Sequence, residues 1–402
     1  MKRNNKYSTE PVKVCMVTGN YWPLIGGTER QAHKLCLALR KYGISPFVVT
    51  MRHNLAWPAQ EKVDDIEVQR VSLVSGKESN GQYIRGAGPI GFPLTLLNLT
   101  KHLIKIGRWY DILHVHQALP HAAAAVVAAK VSRKPILIKI ANSGLHSDLK
   151  VLREHYPGGR LMANLIVKGA NGVVALTPSI HAELFGQGVA EKKLYDIPNG
   201  VCLPPNNLLS DDYRNHVRRE LGLCAKERVA LFIGSLQEKK GVDILLQAWQ
   251  SASKICSLSH LWIVGDGPQR NMLVGMAKGL PRVRFLGQSD NTDSYFAACD
   301  VFVLPSRAEG LPNVLLEAMS WARPVIATAV GGVPDLLNNS GCGELVPPES
   351  AEHLARALKY WMLQRDSNLK AAGQVAQRTV TQGYAIADIA YQYYRLYQDL
   401  LS

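Results

Sequence analysis

Glu309 and Glu317 bracket the segment Glu309-Gly310-Leu311-Pro312-Asn313-Val314-Leu315-Leu316-Glu317, a spacing that can do chemistry. The apolar run Val301-Phe302-Val303-Leu304 precedes it and reads as a strand. A helix opening after that strand tolerates Pro312 in its first turn, where a missing N–H costs least. The start of such a helix offers N–H groups and a partial positive charge to a phosphate. Glu309 then sits at the strand-to-helix turn, and Glu317 lies one to two turns into the helix. Two carboxylates so placed can hold hydroxyls at the two ends of one ligand. Periodicity alone favours reading them as a helix-start charge and a surface residue.

Three further segments carry reactive or ligand-binding residue types. Gly234-Ser235-Leu236-Gln237-Glu238-Lys239-Lys240-Gly241 follows a second apolar strand and brings lysines to a glycine-bounded turn. Gly26-Gly27-Thr28-Glu29 lets backbone approach a ligand closely just before a helix start, which favours an anion. In Asp111-Ile112-Leu113-His114-Val115-His116-Gln117, a strand points His114 and His116 to the same face. No third ligand stands at metal spacing, so no metal is expected there.

The elements that must position these residues are those of parallel α/β sheets. Val12–Thr18 reads as a strand, Glu29–Tyr42 as a helix ended by Gly43, and Pro46–Thr50 as a second strand. Strands are expected at Ile112–Val115, Ile136–Ile140 and Val173–Leu176. The pattern restarts with strands at Val229–Ile233, Leu261–Val264, Val283–Leu286, Val301–Leu304 and Val325–Ala327, and a helix at Val242–Ser253. Pro204 to Asp212 reads as a linker. The final run, Ile386 to Leu401, is an aromatic-rich helix. Open parallel sheets bind ligands outside the carboxyl ends of their strands, so the glycine-bearing turns should line the ligand site.

Composition fits two globular domains in 402 residues. The seven cysteines (15, 36, 202, 224, 256, 299, 342) are scattered and form no Cys-x-x-Cys, which points to a reducing compartment. The basic N-terminus is followed by no apolar run before the first strand, so no secretory signal is expected. Net charge is +14, and residues 1–198 carry 26 Lys+Arg against 13 Asp+Glu. Such a field attracts anionic lipid or a phosphorylated ligand, or else merely keeps the surface soluble. No zinc finger, RNA-recognition signature or basic repeat supports nucleic acid.

Six segments in order resemble the GT4-type retaining glycosyltransferases of group 1. They are Gly26-Gly27, Pro198-Asn199-Gly200-Val201, Gly265-Asp266-Gly267-Pro268, the E-x7-E segment Glu309–Glu317, Arg323–Thr328, and Gly331-Gly332-Val333-Pro334-Asp335. The resemblance runs from about Val12 to Asp335. It implies the GT-B fold, with two Rossmann-like doubly wound parallel-sheet domains facing across a cleft. The N-terminal domain, 1–203, would bind the acceptor and receive the last helix, 385–402. The C-terminal domain, 204–384, would bind a nucleotide-sugar.

By that resemblance Glu309 contacts the transferred sugar and Glu317 the ribose. Gly310, Leu311, Asn313 and Val314 face the sugar or diphosphate. Lys240 holds the diphosphate, with Ser235 where relatives carry arginine. Gly265, Gly26 and Gly27 complete the donor site. Thr28, His116 and Asn142 would meet the acceptor, with His116, Glu309 and Lys240 central to catalysis. Relatives often carry another histidine near Asn142. The expected reaction is retaining and needs neither metal nor cofactor. The donor is a nucleotide-sugar, with a UDP-sugar favoured and GDP-mannose its rival. The basic amphipathic stretch Gly88–Trp109 suits the anionic inner face of the plasma membrane, hence a peripheral, cytoplasmic enzyme with a lipid-linked or glycan acceptor. The alternatives are a soluble glycosyltransferase, a sugar-nucleotide epimerase of the same fold, and a non-catalytic paralogue.

Overall fold

The structure is a computed structural model and describes residues 11–73, 78–79, 82–83, 91–144, 147–254, 258–337 and 341–402. Gly88, Ile90 and Cys256 therefore lie outside the described residues. The chain forms two units, one of Met1–Pro198 with Ala387–Ser402, the other of Asn199–Ile386.

The first unit holds strands β1 (Val12–Val17), β2 (Ile44–Arg52), β3 (Gln60–Val63) and β4 (Ile66–Ser72), then a short pair, β5 (Glu78–Ser79) and β6 (Gln82–Tyr83). β7 (Ile112–His116), β8 (Ile136–Lys139), β9 (Gly172–Ala175) and β10 (Leu194–Asp196) follow. The main sheet runs β10-β9-β8-β7-β1-β2-β4-β3, parallel except where β3 meets β4. β7, β8 and β9 are buried along their whole length, as strands covered on both faces must be. The helix after β1 spans Gly27–Leu39, earlier than the expected 29–42. A 3-10 turn, Arg40–Tyr42, follows it, and Gly43 closes that turn at φ 72°.

The final helix, Ile386–Leu401, buries Ile389, Tyr393, Leu396 and Tyr397, one apolar face at helical spacing. Tyr42 Oη donates to Ala387 O at 3.0 Å, and the Tyr397 hydroxyl lies 2.6 Å from His114 Nδ1.

The second unit holds β11 (Arg228–Ile233), β12 (Ser259–Val264), β13 (Val283–Gly287), β14 (Val301–Leu304), β15 (Val325–Thr328) and β16 (Gly343–Val346). All pair in parallel, in the order β13-β12-β11-β14-β15-β16. Its core joins Phe232, Trp249, Ile263, Val303 and Leu358.

Two expectations are corrected. The first boundary falls after Pro198 rather than 203. Val201 bridges to Ala385, with Val201 N to Tyr384 O at 2.8 Å and Ile386 N to Val201 O at 2.9 Å, which ties Val201 into the second unit. For the same reason the second boundary moves from 384 to 386. The supposed linker is ordered structure: a 3-10 turn Asn206–Leu209 leads into the helix Asp211–Glu220. Ser210 Oγ caps that helix, accepting from Tyr213 N at 3.2 Å.

Asp300, just before β14, fixes the amino end of the second sheet. Its buried carboxylate accepts from Arg214 at 2.8 Å, Arg228 at 3.0 Å, Arg218 at 3.2 Å and Val229 N at 2.8 Å. Among the described residues no helix is long and apolar enough to cross a membrane.

Removing one partner of a buried ion cluster leaves the others uncompensated. Asp300→Ala should therefore cost about 3 kcal/mol or more of stability. Urea unfolding checks this, and a loss below about 1 kcal/mol would show the arginines are satisfied by carbonyls alone.

Candidate active site

In the second unit the strand order reverses between β11 and β14, and such a switch point opens a ligand site outside the strands' carboxyl ends. β11 runs into Gly234–Gly241, and β14 runs into Pro305–Glu309. The two segments meet there. Lys240 Nζ donates to Glu309 Oε1 at 2.6 Å, and Ser306 Oγ donates to the same oxygen at 2.6 Å. Both members of the ion pair are largely screened from solvent, with side chains 17% and 10% exposed. The lysine expected on a diphosphate and the glutamate expected on a sugar are thus a single contact.

The backbone around Glu309 is held from three sides. Asn199 Nδ2 donates to Leu311 O at 2.9 Å, and Gly332 N donates to Gly310 O at 2.7 Å. Gly331 has φ 56°, and a Cβ there would lie 2.1 Å from Glu309 O, so only glycine fits. The motifs Pro198–Val201 and Gly331–Asp335 therefore act as supports for the glutamate turn.

The helix carrying Glu317 spans Asn313–Ser320. Pro312 caps it in extended conformation, one position outside the first turn expected for it. Its first two N–H groups, on Asn313 and Val314, precede the first intrahelical bond, made by Leu315 onto Pro312 O at 3.1 Å. Asn313, Val314 and Glu317 are half-buried, and Leu311 and Gly310 are buried.

Gly265 ends β12 beside this edge, with φ 134° and a would-be Cβ 1.9 Å from Gly234 O. Ser235 lies half-buried beyond Gly234. Arg307 does not replace the arginine that Ser235 lacks. It forms two hydrogen bonds to Asp243 at 2.8 and 2.7 Å and another to Glu349 at 2.5 Å. Those carboxylates hold its guanidinium above the usual arginine range.

In the first unit the order reverses between β1 and β7. The loop after β1 ends at Gly26, and Gly27 and Thr28 open the helix that follows. Gly26 and Gly27 are exposed and Thr28 half-buried, and Gly26 N donates to Glu29 Oε2 at 2.8 Å. After β7, Gln117 adopts φ 74°. His116, at the end of β7, is buried, and its ring stacks on His114 at 4.6 Å. Burial holds both histidines well below the usual histidine range, and the nearby Lys139 lowers them further, so both are neutral at pH 7. Asn142, half-buried after β8, donates from Nδ2 to Asp148 Oδ1 at 2.9 Å. Asp148 Oδ2 also accepts from Ala118 N at 3.2 Å and Ala141 N at 2.9 Å. One buried carboxylate thus joins the loops after β7 and β8.

Four positions escaped the sequence reading: Thr50, Thr18, Lys139 and Asp148. β1 pairs Met16 with Val48 and with His114, and β7 pairs His116 with Lys139. Continuing that register aligns Thr50, Thr18, His116 and Lys139 side by side on one face. All four are buried, and among the described residues Thr50 Oγ1, Thr18 Oγ1, His116 Nε2 and Lys139 Nζ have no hydrogen-bond partner. Tyr393 of the final helix covers Lys139, its ring centroid 5.7 Å from the ammonium. The available signal was a lysine inside Ile136-Leu137-Ile138-Lys139-Ile140, an otherwise apolar strand. Among the described residues no cluster of three metal-ligating side chains occurs.

Residues 25–203 match the model described as Glycosyltransferase Family 4, and residues 227–364 the model described as Glycosyl transferases group 1. The chain is 28% identical over 297 residues to N-acetyl-alpha-D-glucosaminyl L-malate synthase of Bacillus anthracis, covering 72% of this chain and 75% of that one. It is 32% identical over 256 residues to the putative teichuronic acid biosynthesis glycosyltransferase TuaC of Bacillus subtilis, covering 62% and 60%. In fold it is similar to Anabaena HepE in complex with UDP, with TM-score 0.75, 20% identity and 96% and 100% coverage. It is also similar to a sucrose-phosphate synthase of Thermosynechococcus elongatus, with TM-score 0.77, 23% identity and 97% and 99% coverage.

Burial lowers Lys139 from 10.5 to about 7. A depressed folded-state value means the buried ammonium costs stability in full below about pH 7, and the cost fades as pH rises toward 10.5. Lys139→Met should therefore be more stable than wild type at acid and neutral pH, with the advantage shrinking in alkali. Urea unfolding at about pH 6, 8 and 10 tests this, and a difference constant with pH would contradict the burial of a titrating amine.

Proposed function

The chain belongs to the group 1, family 4 glycosyltransferases of GT-B fold, and we propose that it transfers a sugar with retention from a nucleotide-sugar, without a metal. The observation that carries this reading is the Lys240–Glu309 contact at the switch point of the second sheet. A diphosphate entering there meets the Lys240 ammonium and the N–H groups that open the helix Asn313–Ser320. Glu309 then turns to the hydroxyls of the transferred sugar, and Glu317 holds the ribose diol. A UDP-sugar is favoured, in keeping with the UDP in Anabaena HepE. GDP-mannose is the competing donor.

Retention requires attack on the face the leaving group departs from. The departing diphosphate takes the acceptor proton while the protein supplies position and charge. Breaking the bond between the anomeric carbon and the diphosphate leaves negative charge on the phosphate oxygens. Lys240 and the helix start stabilise that charge. Ser235 supplies only a hydroxyl where relatives use a bidentate guanidinium, so Lys240 carries more of the task. Neutral His116, with Asn142 and Thr28, orients the acceptor.

The acceptor is proposed to be lipid-linked or a glycan precursor at the cytoplasmic face of the membrane. The helix Gly91–Lys105 and the turn after it support this: Leu94, Leu97 and Trp109 are exposed, interleaved with exposed Lys101, Lys105 and Arg108.

Three measurements bear on this reading. UDP-, GDP- and ADP-sugars are screened by thermal shift, since a ligand of the folded state raises its stability, and one base should stand out. With that donor, Lys240→Ala and Glu309→Gln should each lower kcat/KM about 100-fold, and unchanged transfer would refute the site. Anionic vesicles should float the protein at low salt and release it at high salt, whereas absence of binding at low salt would remove the membrane from the proposal.

A further inference from the structure

The row Thr50–Thr18–His116–Lys139 spans the adjacent strands β2, β1, β7 and β8 at their carboxyl ends. Buried polar groups are nearly always paired, so four unpaired ones in register call for a cause. Each of them can donate to the same ligand: two threonine hydroxyls, the Lys139 amine and, in its Nε2–H tautomer, the His116 imidazole. The basic residue one strand further out is already neutralised: Arg70, paired with Thr50 across β2 and β4, is bonded to Glu61. Among the described residues no carboxylate lies within ion-pair distance of Lys139. A lysine without a carboxylate, flanked by groups that can all donate, is complementary to an oxyanion.

We propose that this row is a subsite for an anionic group of the acceptor, a phosphate or a carboxylate, with Lys139 as its principal contact. The proposal rests on reading the first unit as the acceptor-binding one. Lys139 stands in register with His116, so an anion bound to it lies beside the residue assigned to orient the acceptor. Asp148 keeps the loops after both strands fixed around that position. Tyr393 and the His114 ring, 5.0 Å apart, close the inner side. Water excluded from such a place strengthens the ionic contact. The lysine's lowered proton affinity fits as well, since an anion against it restores the charged form and draws in a proton.

The test is calorimetric titration at about pH 8 with inorganic phosphate and, separately, with acetate, in two buffers of different ionisation enthalpy. It is run in a Lys240→Ala background, so that the donor site's own phosphate affinity does not contribute. Binding with proton uptake is expected, weakened about tenfold or more by Lys139→Met, since a hydrogen bond to a charged group is worth that much. Lys139→Gln serves as a second variant, and the thermal transition of each shows that it folds. Binding of phosphate alone assigns a phosphate-bearing acceptor, and binding of acetate alone a carboxylate-bearing one. Absence of binding by either anion, or equal binding by wild type and folded Lys139 variants, overturns the proposal. No sugar transfer enters the measurement, so its outcome is independent of whether the catalytic reading holds.

Discussion

The second unit depends on one parallel pairing, Ala230 with Val301 and Leu231 with Phe302, between strands far apart in sequence. On either side of it the chain winds in opposite directions, so no crossover helix covers the gap at the carboxyl end. That uncovered gap is where Lys240 and Glu309 meet. The pairing also fixes their approach: a slip of one residue would turn every side chain of β14 to the other face of the sheet. The turn at Glu309 then needs its own supports, which come from Asn199, Gly331 and Gly332, positions distant in sequence but adjacent in this unit.

β14 also separates two uses of charge. Asp300 enters it and Glu309 leaves it. At the entering end three arginines and a backbone N–H converge on one carboxylate. At the leaving end one lysine and one serine hydroxyl are seen to do so. A saturated cluster resists rearrangement, because each partner left alone in the interior is costly. The Lys240–Glu309 pair, 17% and 10% exposed where Asp300 is 2% exposed, can exchange a partner for a ligand. The first unit repeats the division in another form, with Asp148 receiving several donors while the row beside it keeps unpaired ones.

Most strands were legible because buried parallel strands are short β-branched or apolar runs bounded by glycine and proline, as in Val229–Ile233 and Val301–Leu304. Boundaries were less so. Pro204 to Asp212 has the composition of a linker, yet Ser210 begins a helix there, and the deciding bond, to Tyr213 N, is a matter of geometry. Of the site, the separate motifs were readable through family resemblance, whereas the direct bond between Lys240 and Glu309 follows only from the order of strands. The row through Lys139 was invisible for a further reason. A lysine in a strand is ordinary when its head reaches water, and only the neighbouring strands and Tyr393 decide that it does not.

The helix Ile386–Leu401 belongs, from Ala387 on, to the same unit as β1. During synthesis the first unit is therefore incomplete when residue 198 emerges, and remains so while the whole second unit is made. In that interval β7 lacks Tyr393 and Tyr397, leaving the inner faces of His114 and Lys139 wet. The second unit, being continuous, can close first, against the usual order in which the amino-terminal domain folds ahead. A segment made after the whole second unit is thus the one that completes the first sheet's core.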